Sequence, residues 1–343
     1  MDLKKNDNQI DAFKLNNICA KFNRVFWGDY VETNNLIYDW NEIDYDISRN
    51  PANHPHGVWF DDETLRDGLQ SPSARNPTIE QKKELLSYME KLGIQKVDLG
   101  LPGAGPFHRE HINSMLSHII DNDYQIRPGA AVRTLMNDIE PLVEMQEKHG
   151  IPIQASAFLG TSPIRQYTEG WTMEKLISTM ETAVSYAVEN DVPVMFVTED
   201  TTRSKPEDVK AIYQRAMELG VRRLCVCDTC GHVTPNGVKK LLSFIDEEVI
   251  KDGGYQRRDI EVNWHGHQDR GLGVANNIAA VEAGADVIHG TALGVGERAG
   301  NAPLDQTLVN LKLMGVIDND LTLLDEYMSC LLYTSPSPRD NTG

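Results

Sequence analysis

The sequence predicts an α/β fold, a closed (β/α)8 TIM barrel with an N-terminal extension. Between residues 58 and 316, eight short runs of apolar, β-branched residues alternate with longer segments of helical period. This alternation is typical of a parallel sheet with right-handed crossovers. Units of about 32 residues fit the closed barrel. An open, doubly wound sheet is the alternative, and it is less favoured because polar residues follow nearly every one of the eight strands.

Each of the eight units supplies one strand and one helix. The predicted strands are 58–61, 96–101, 127–133, 152–158, 192–198, 222–228, 260–265 and 285–290. The predicted helices are 78–92, 108–121, 137–149, 172–190, 206–219, 235–250, 272–283 and 304–315. Local end signals support them: Thr78 and Gln81 have capping-box spacing at the first helix, and Gly93 ends it. Pro206 begins the fifth helix and Gly220 ends it.

The chain divides into four predicted regions. Residues 1–57 form an N-terminal extension rich in Asn and Asp, with scattered aromatics that we expect to pack on the barrel or on a second subunit. Residues 58–316 form the catalytic barrel, and residues 317–330 begin a truncated C-terminal region. Residues 331–343, which contain Pro336 and Pro338, resemble the translation of a sequencing adaptor and are predicted to be non-native.

Composition excludes several classes of function. Lys plus Arg is 33 and Asp plus Glu is 51, which gives a net charge of −18. Nucleic acids and anionic membranes need a basic surface, so neither is a predicted partner. No apolar run is long enough to span a bilayer or to act as a secretory signal. The five cysteines are few and odd in number, which favours a reduced, cytoplasmic protein.

Polar residues gather at the predicted carboxyl ends of the strands, the face that carries the active site in barrels of this kind. The residues concerned are Asp62, Glu63, Arg66, Asp67, Gln70, Arg133, Glu199, Asp200, Asp228, Thr229, His265, His267, Asp269, Arg270, Glu297, Arg298 and Asn301. The barrel mouth is therefore predicted to be dense in carboxylates, imidazoles and guanidinium groups.

The His265-Gly266-His267 triplet is the sharpest single feature. On an extended strand residues i and i+2 point the same way, so both imidazoles can reach one metal ion. The alternative is a pair of hydrogen-bonded histidines at a strand end, but carboxylates at neighbouring strand ends favour the metal. Imidazole, carboxylate and amide donors together suit Mg²⁺, Mn²⁺ or Zn²⁺.

Two further patterns resemble ligand motifs without matching them. Cys225, Cys227 and Cys230 lack the second cysteine pair that a tetrahedral zinc site requires, so core packing is the better interpretation. Residues 294–300 read GVGERAG, which differs in spacing from a dinucleotide-binding loop. We expect that loop instead to bring backbone amides and Asn301 to the barrel mouth.

Four long motifs together resemble a known family. They are DETLRDGLQSP at 62–72, DTCGHVTP at 228–235, HGHQDRGLGVANNIAAVEAGAD at 265–286 and GTALGVGERAGNAPL at 290–304. In this order they are similar to the metal-dependent, acyl-CoA-condensing barrels, a family that includes the 2-isopropylmalate, homocitrate and citramalate synthases. The related hydroxymethylglutaryl-CoA lyases share the barrel. The resemblance covers roughly residues 58–316.

The resemblance implies a metal centre and a catalytic arginine. It implies that Asp67, His265, His267 and Asn301 bind a divalent cation and that Arg66 is the electrophilic catalyst. The cation would polarise the ketone of a 2-oxo acid, and Arg66 would add positive charge where the alkoxide develops.

The resemblance also implies residues near the substrates. Glu199 and Thr229 match catalytic positions of the synthases, and Arg133 and Gln70 are candidates for substrate contacts. Structural alternatives remain open for most of them. Arg66 could simply pair with Asp62 or Glu63. Thr229 could belong to a turn, and Arg133 could merely neutralise carboxylates. Glu297 and Arg298 are equally consistent with a local ion pair.

The implied reaction joins acetyl-CoA to a 2-oxo acid. The expected acceptor is 3-methyl-2-oxobutanoate, which would make this the 2-isopropylmalate synthase reaction of leucine biosynthesis. Leu99 and the following GLPGAG run suggest an apolar wall that suits the branched side chain of this acid. Citramalate or homocitrate synthase, an acyl-CoA lyase and a non-catalytic binding protein are the alternatives. The loop near strand 8 lacks the cysteine of a lyase, and strands 4 to 6 lack the lysine of a biotin-dependent carboxyltransferase. A homodimer is expected.

Two departures from the family pattern bear on activity. Arg165 stands after strand 4, where synthases commonly have histidine. Full activity in the family also needs residues from a region beyond the barrel, so the chain as given is expected to bind metal and 2-oxo acid but to turn over poorly.

Overall fold

The computed structural model describes residues 57–72 and 74–332. Apart from Gly57, the predicted N-terminal extension lies outside the described residues, and so does nearly all of the predicted non-native tail. The interpretation of those two regions stays a prediction.

Eight parallel strands form a closed barrel, as predicted. Each strand pairs with the next along the chain, and the last pairs with the first through residues such as Phe60 opposite Ile288. The strands are β1 (Trp59–Asp62), β2 (Lys96–Asp98), β3 (Arg127–Arg133), β4 (Gln154–Gly160), β5 (Val194–Glu199), β6 (Arg223–Asp228), β7 (Glu261–Gly266) and β8 (Val287–Gly290). The alternative of an open sheet is therefore wrong.

Helices follow every strand and cover the barrel. They are α1 (Ile79–Lys91), α2 (Pro106–Asp121), α3 (Met136–His149), α4 (Pro163–Glu169), α5 (Met173–Glu189), α6 (Pro206–Glu218), α7 (Pro235–Phe244), α8 (Gly273–Glu282), α9 (Leu304–Leu313) and α10 (Leu324–Leu332). The capping box predicted for α1 forms, because the Gln81 amide donates to Thr78 Oγ1 and the Thr78 amide donates to Gln81 Oε1.

Three elements differ from the prediction. Strand β2 ends at Asp98 rather than at residue 101, because Asp98 Oδ1 accepts the Gly100 amide and Gly100 adopts a φ of 142°. Helix α7 ends at Phe244 and continues as the π-helical segment Ile245–Lys251. Helix α4 was not predicted, although Pro163 stands at its first position.

The main core lies between the barrel wall and the helices. Strand residues that face outward, among them Phe60, Phe196 and Trp264, are fully buried with helix residues such as Leu86 and Met89. Because side chains alternate along a strand, the neighbouring positions face the barrel interior, which is strongly polar here. None of the described helices is long and apolar enough to cross a membrane.

Candidate active site and metal centre

Three of the predicted ligands meet at the barrel mouth. Asp67 Oδ2 lies 3.3 Å from His265 Nε2 and 3.7 Å from His267 Nε2, and the two Nε2 atoms are 3.3 Å apart. All three side chains are buried, and their ligand atoms lie within 4.8 Å of one another. Carboxylate and imidazole groups at this spacing form a cluster of the kind that holds a divalent cation.

Backbone pairing brings the fourth residue, Asn301, beside His267. These two residues form an isolated antiparallel bridge, and the Ala302 amide donates to the carbonyl of Gly266 at 3.0 Å. The loop after β8 therefore lies along the segment that follows β7. Gly296 makes this possible, since a Cβ atom there would lie 2.3 Å from Asn301 Nδ2.

The amide of Asn301 presents a free acceptor. Its Nδ2 donates to the Val295 carbonyl at 3.2 Å, whereas its buried Oδ1 has no hydrogen-bond partner within the part of the chain that the structure describes. An unsatisfied buried acceptor costs about 1–3 kcal/mol. A cation beside Asp67 and the two histidines would satisfy this oxygen, so the residues present fit a divalent metal ion.

Arg66 lies beside this cluster and is held by three carboxylates. Its guanidinium donates to Glu63, approaches Asp67 Oδ1 at 3.2 Å, and donates from Nε to Asp98 Oδ2 at 3.1 Å. The side chain is 20% exposed, so these carboxylates do not enclose it completely. Arg66 therefore forms the ion pair with Glu63 that the sequence offered as a structural alternative, but it does not pair with Asp62. The remaining exposure leaves Arg66 able to contact a ligand.

Charge in the cluster is unevenly distributed. Burial opposes ionisation of Asp67, but Arg66 and His265 outweigh it and hold the pKa of that carboxyl well below its usual range. Burial also opposes protonation of His265, yet Asp67 and other acidic neighbours raise its pKa to about 9. Burial and the adjacent His265 lower the pKa of His267 to about 4. Of the two imidazoles, His265 therefore binds a proton more readily than His267.

A column of buried polar groups supports the site from inside the barrel. Glu63 Oε1 lies 3.0 Å from His289 Nδ1, and His289 Nε2 lies 3.3 Å from Asn263 Oδ1. The Asn263 amide donates to Glu261 at 3.0 Å, and Lys96 donates to the same carboxylate at 2.5 Å. This series of hydrogen bonds runs from Glu63, which binds Arg66, towards the opposite end of the barrel and fixes Glu63 in place.

Two other predicted residues, Glu199 and Thr229, lie at the ends of β5 and β6. Glu199 Oε2 is 4.0 Å from Arg165 Nη2, and burial raises the pKa of the Glu199 carboxyl. Thr229 Oγ1 accepts the Asp200 amide at 2.8 Å. Arg165 lies over Gly160, where a Cβ atom would meet its Cγ at 2.7 Å. The arginine in the usual histidine position is thus a neighbour of the predicted acid or base.

The remaining candidates contact other groups. Arg133 makes a two-pronged ion pair with the buried Asp138, with both distances 2.7 Å, and its side chain is 48% exposed. Gln70 is exposed at the end of a short 3-10 turn. Arg298 pairs with Asp269 at 2.8 Å and with Glu297 at 3.2 Å, so the local ion pair is present.

Sequence reasoning missed Asp98 and His289 as parts of the site and considered Glu63 only as a possible ion-pair partner of Arg66. Asp98 follows the alternation that points every second residue of β2 inward, and His289 does the same on β8. Assigning alternate residues of the predicted strands to the barrel interior would have identified both Asp98 and His289. Cys225 and Cys227 are buried next to Met195, which agrees with the core-packing interpretation.

The sequence profile of the HMGL-like family matches residues 58–327. The chain belongs to the HMGL-like family. The resemblance inferred from the motifs is therefore confirmed, and the match extends past the barrel into α10.

Relatives in this family include named synthases. A 2-isopropylmalate synthase of Oceanobacillus iheyensis is 34% identical over 253 residues, which cover 74% of this chain and 47% of that protein. A 2-isopropylmalate synthase of Sediminispirochaeta smaragdinae is 28% identical over 278 residues, covering 80% and 53%. A homocitrate synthase of Methanopyrus kandleri is 31% identical over 265 residues, covering 77% and 62%. The chain spans about half the length of the curated relatives it matches.

Solved structures share the fold. The hydroxymethylglutaryl-CoA lyase of Pseudomonas aeruginosa superposes with a TM-score of 0.67 at 15% identity, covering 84% of this chain and 97% of that one. The lyase of Brucella melitensis gives 0.66 at 16% identity, covering 82% and 99%. At such identities the likeness shows the barrel fold alone.

The ligand cluster predicts a specific loss of metal binding. We expect His267→Ala to weaken Mn²⁺ binding by about 100-fold or more. Loss of a residue that only supports a metal ligand already weakens binding by about 10–100-fold, and loss of a ligand itself should cost at least as much. Free Mn²⁺ measured by electron paramagnetic resonance during a titration gives the dissociation constant. His108→Ala, at an exposed histidine on α2, is the matched control. Equal affinity in both variants would remove His267 from the site.

Proposed function

We propose that this chain carries the catalytic barrel of an enzyme that condenses acetyl-CoA with 3-methyl-2-oxobutanoate, the 2-isopropylmalate synthase reaction of leucine biosynthesis. One observation carries the proposal: Asp67, His265 and His267 come together beside Arg66, and Asn301, whose buried side-chain oxygen is unsatisfied, forms a backbone bridge with His267. The names of the relatives support the same reaction class.

The four ligands would hold Mg²⁺, Mn²⁺ or Zn²⁺. Such an ion, when bound, acts as a Lewis acid towards the ketone of a 2-oxo acid. The donor set of one carboxylate, two imidazoles and one amide oxygen is compatible with each of these ions.

Arg66 would stabilise the negative charge that forms on the former ketone oxygen. Contacts with Glu63, Asp67 and Asp98 fix the guanidinium before substrate arrives, so no reorganisation is needed during the reaction. Burial and the charge of Glu63 raise the pKa of Asp98 to about 7. The raised pKa of Asp98 reduces the negative charge around the arginine. Less negative charge around the guanidinium leaves a more positive local potential for the oxygen of the substrate.

Glu199 is the proposed general base. Burial raises the pKa of its carboxyl, and a carboxylate of raised pKa is a stronger base towards the weakly acidic methyl group of acetyl-CoA. Glu199 takes a proton from the methyl group, and the methyl carbon forms a bond to the ketone carbon as the π bond of that carbonyl breaks. The former ketone oxygen, now negatively charged, then takes up a proton from water. Water then cleaves the thioester to give a carboxylate and free coenzyme A. Thr229, on the neighbouring strand end, would position the acyl-CoA.

The choice of acceptor rests on the relatives rather than on Leu99. Leu99 is buried in the main core between barrel and helices, so the expected apolar wall is not formed by this residue. Homodimerisation, the cytoplasmic location and substrate contacts of Arg133 and Gln70 remain predictions of the same proposal.

A panel of 2-oxo acids tests the reaction. Thiol release from acetyl-CoA in the presence of Mg²⁺ or Mn²⁺ should have its highest kcat/KM with 3-methyl-2-oxobutanoate, ahead of pyruvate and 2-oxoglutarate. No thiol should be released without an acceptor. Calorimetric binding of each 2-oxo acid is measured in parallel and should depend on the metal.

Each contrary result supports a different function. Preference for pyruvate or 2-oxoglutarate indicates citramalate or homocitrate synthase. Cleavage of a hydroxyacyl-CoA indicates a lyase. Absence of both metal and 2-oxo acid binding indicates a non-catalytic protein and contradicts the proposal.

The role of Arg66 predicts a change in rate rather than in affinity. Arg66→Lys should leave 2-oxo acid binding nearly unchanged and reduce turnover by about 100-fold or more, because lysine cannot reproduce the fixed guanidinium contacts. Arg215→Lys is the matched control, since Arg215 makes comparable ion pairs on the surface of α6. Thiol release under saturating substrate is the measurement. An unimpaired Arg66→Lys enzyme would exclude the catalytic role.

A further inference from the structure

A buried tyrosine connects the helix after the barrel to the β1 loop. Tyr327 lies in α10, is fully buried, and donates its hydroxyl to Asp62 Oδ2. Asp62, the last residue of β1, is itself fully buried. Helix α10 packs on α1 and on the loop after β8, so the hydroxyl reaches the place where these elements meet.

The hydrogen bonds continue from Asp62 into both loops that carry metal ligands. Asp62 Oδ1 accepts the Thr64 amide at 2.8 Å, and Thr64 Oγ1 accepts the Ala292 amide at 2.9 Å. Thr64 is buried as well. The path is therefore α10, the turn after β1, and the loop after β8, with no solvent-exposed member.

The two ends of this path lead directly to ligands. Thr64 precedes Asp67 by three residues in the same turn. Ala292 begins the loop that ends at Asn301, and that loop is closed by the Asn301 amide donating to the carbonyl of Gly294 at 3.0 Å. The loops also touch, because a Cβ atom at Gly68 would lie 2.9 Å from Val295 Cγ2.

We propose that Tyr327 is a positioning residue for the cation site, which sets the separation of Asp67 and Asn301 through Asp62 and Thr64. The inference rests on the proposed function, since it concerns the same site. It assigns a role to a residue outside the eight βα units, and it makes the helix after the barrel part of the metal centre's support.

The test compares two buried tyrosine hydroxyls. Tyr327→Phe removes the hydrogen bond to Asp62 and keeps the ring. Tyr213→Phe is the matched control: Tyr213 is equally buried, and its hydroxyl donates to the Cys225 carbonyl at 2.6 Å and lies 2.6 Å from Thr198 Oγ1, far in sequence from both ligand loops. Mn²⁺ affinity by electron paramagnetic resonance and Tm are measured on the full 343-residue chain.

A positioning role separates affinity from stability. We expect both substitutions to lower Tm, whereas only Tyr327→Phe weakens Mn²⁺ binding, by about tenfold, the lower end of the range for outer-shell partners. Asp62→Asn should weaken it similarly. The double variant should bind Mn²⁺ no more weakly than the single variant with the lower affinity. Both substitutions interrupt the same hydrogen-bonded path, so their effects should not add.

The outcomes distinguish this inference from the proposed function. If the parent chain binds Mn²⁺ and both Tyr327→Phe and Asp62→Asn bind it within twofold of the parent, Tyr327 has no positioning role, and the proposed metal site stands. If the parent chain binds no Mn²⁺, the metal site itself is wrong. Should Tyr327→Phe fail to fold, Asp62→Asn alone decides the question by the same measurement.

Discussion

The pairing of β8 with β1 is the contact on which the site depends. Asp67 follows the first strand, the two histidines end the seventh, and Asn301 follows the eighth, so only closure of the sheet brings them together. The four residue pairs from Trp59 opposite Val287 to Asp62 opposite Gly290 fix the register at this seam. A shift by one residue would turn Glu63 and His289 away from each other, because side chains alternate between the two faces of a strand. The proposed metal ligands would then lose the column of buried polar groups behind them.

Closure also concentrates negative charge, which explains the position of Arg66. A chain with a net charge of −18 repels anionic substrates at long range. At the mouth, Glu63, Asp67 and Asp98 surround one guanidinium and fix its direction. A divalent ion beside Asp67 would add positive charge at the same place. The acidic groups thus fix the guanidinium in place, and a bound divalent ion would make the local charge more favourable to an anionic ligand.

Local patterns made the fold and the clustering of Asp67, His265 and His267 predictable, whereas contacts between distant residues could not be predicted. The eight βα units predicted the barrel, and the spacing of His265 and His267 on one strand predicted their common direction. The ion pair of Arg133 with Asp138 spans only five residues, yet it depends on where α3 begins, which the sequence does not place in three dimensions. Tyr327 and Asp62 are 265 positions apart, and no periodicity links them. Helix α10 was therefore interpreted only as the start of a further region.

The two histidines differ in what holds their rings, and this difference bears on how the site forms. A histidine that binds a metal usually donates its second ring nitrogen to a carboxylate or carbonyl group. His265 Nδ1 faces Glu63 at 3.8 Å, whereas His267 Nδ1 has no hydrogen-bond partner within residues 57–72 and 74–332. The direction of His267 is instead set by its backbone, through the bridge to Asn301 and the donation from Ala302 to Gly266. Because Asn301 is itself a proposed ligand, the loop after β8 supplies one donor and orients another. Any displacement of that loop would therefore move half of the donor set at once, which is why support from Thr64 and Tyr327 on its other side matters to the cation.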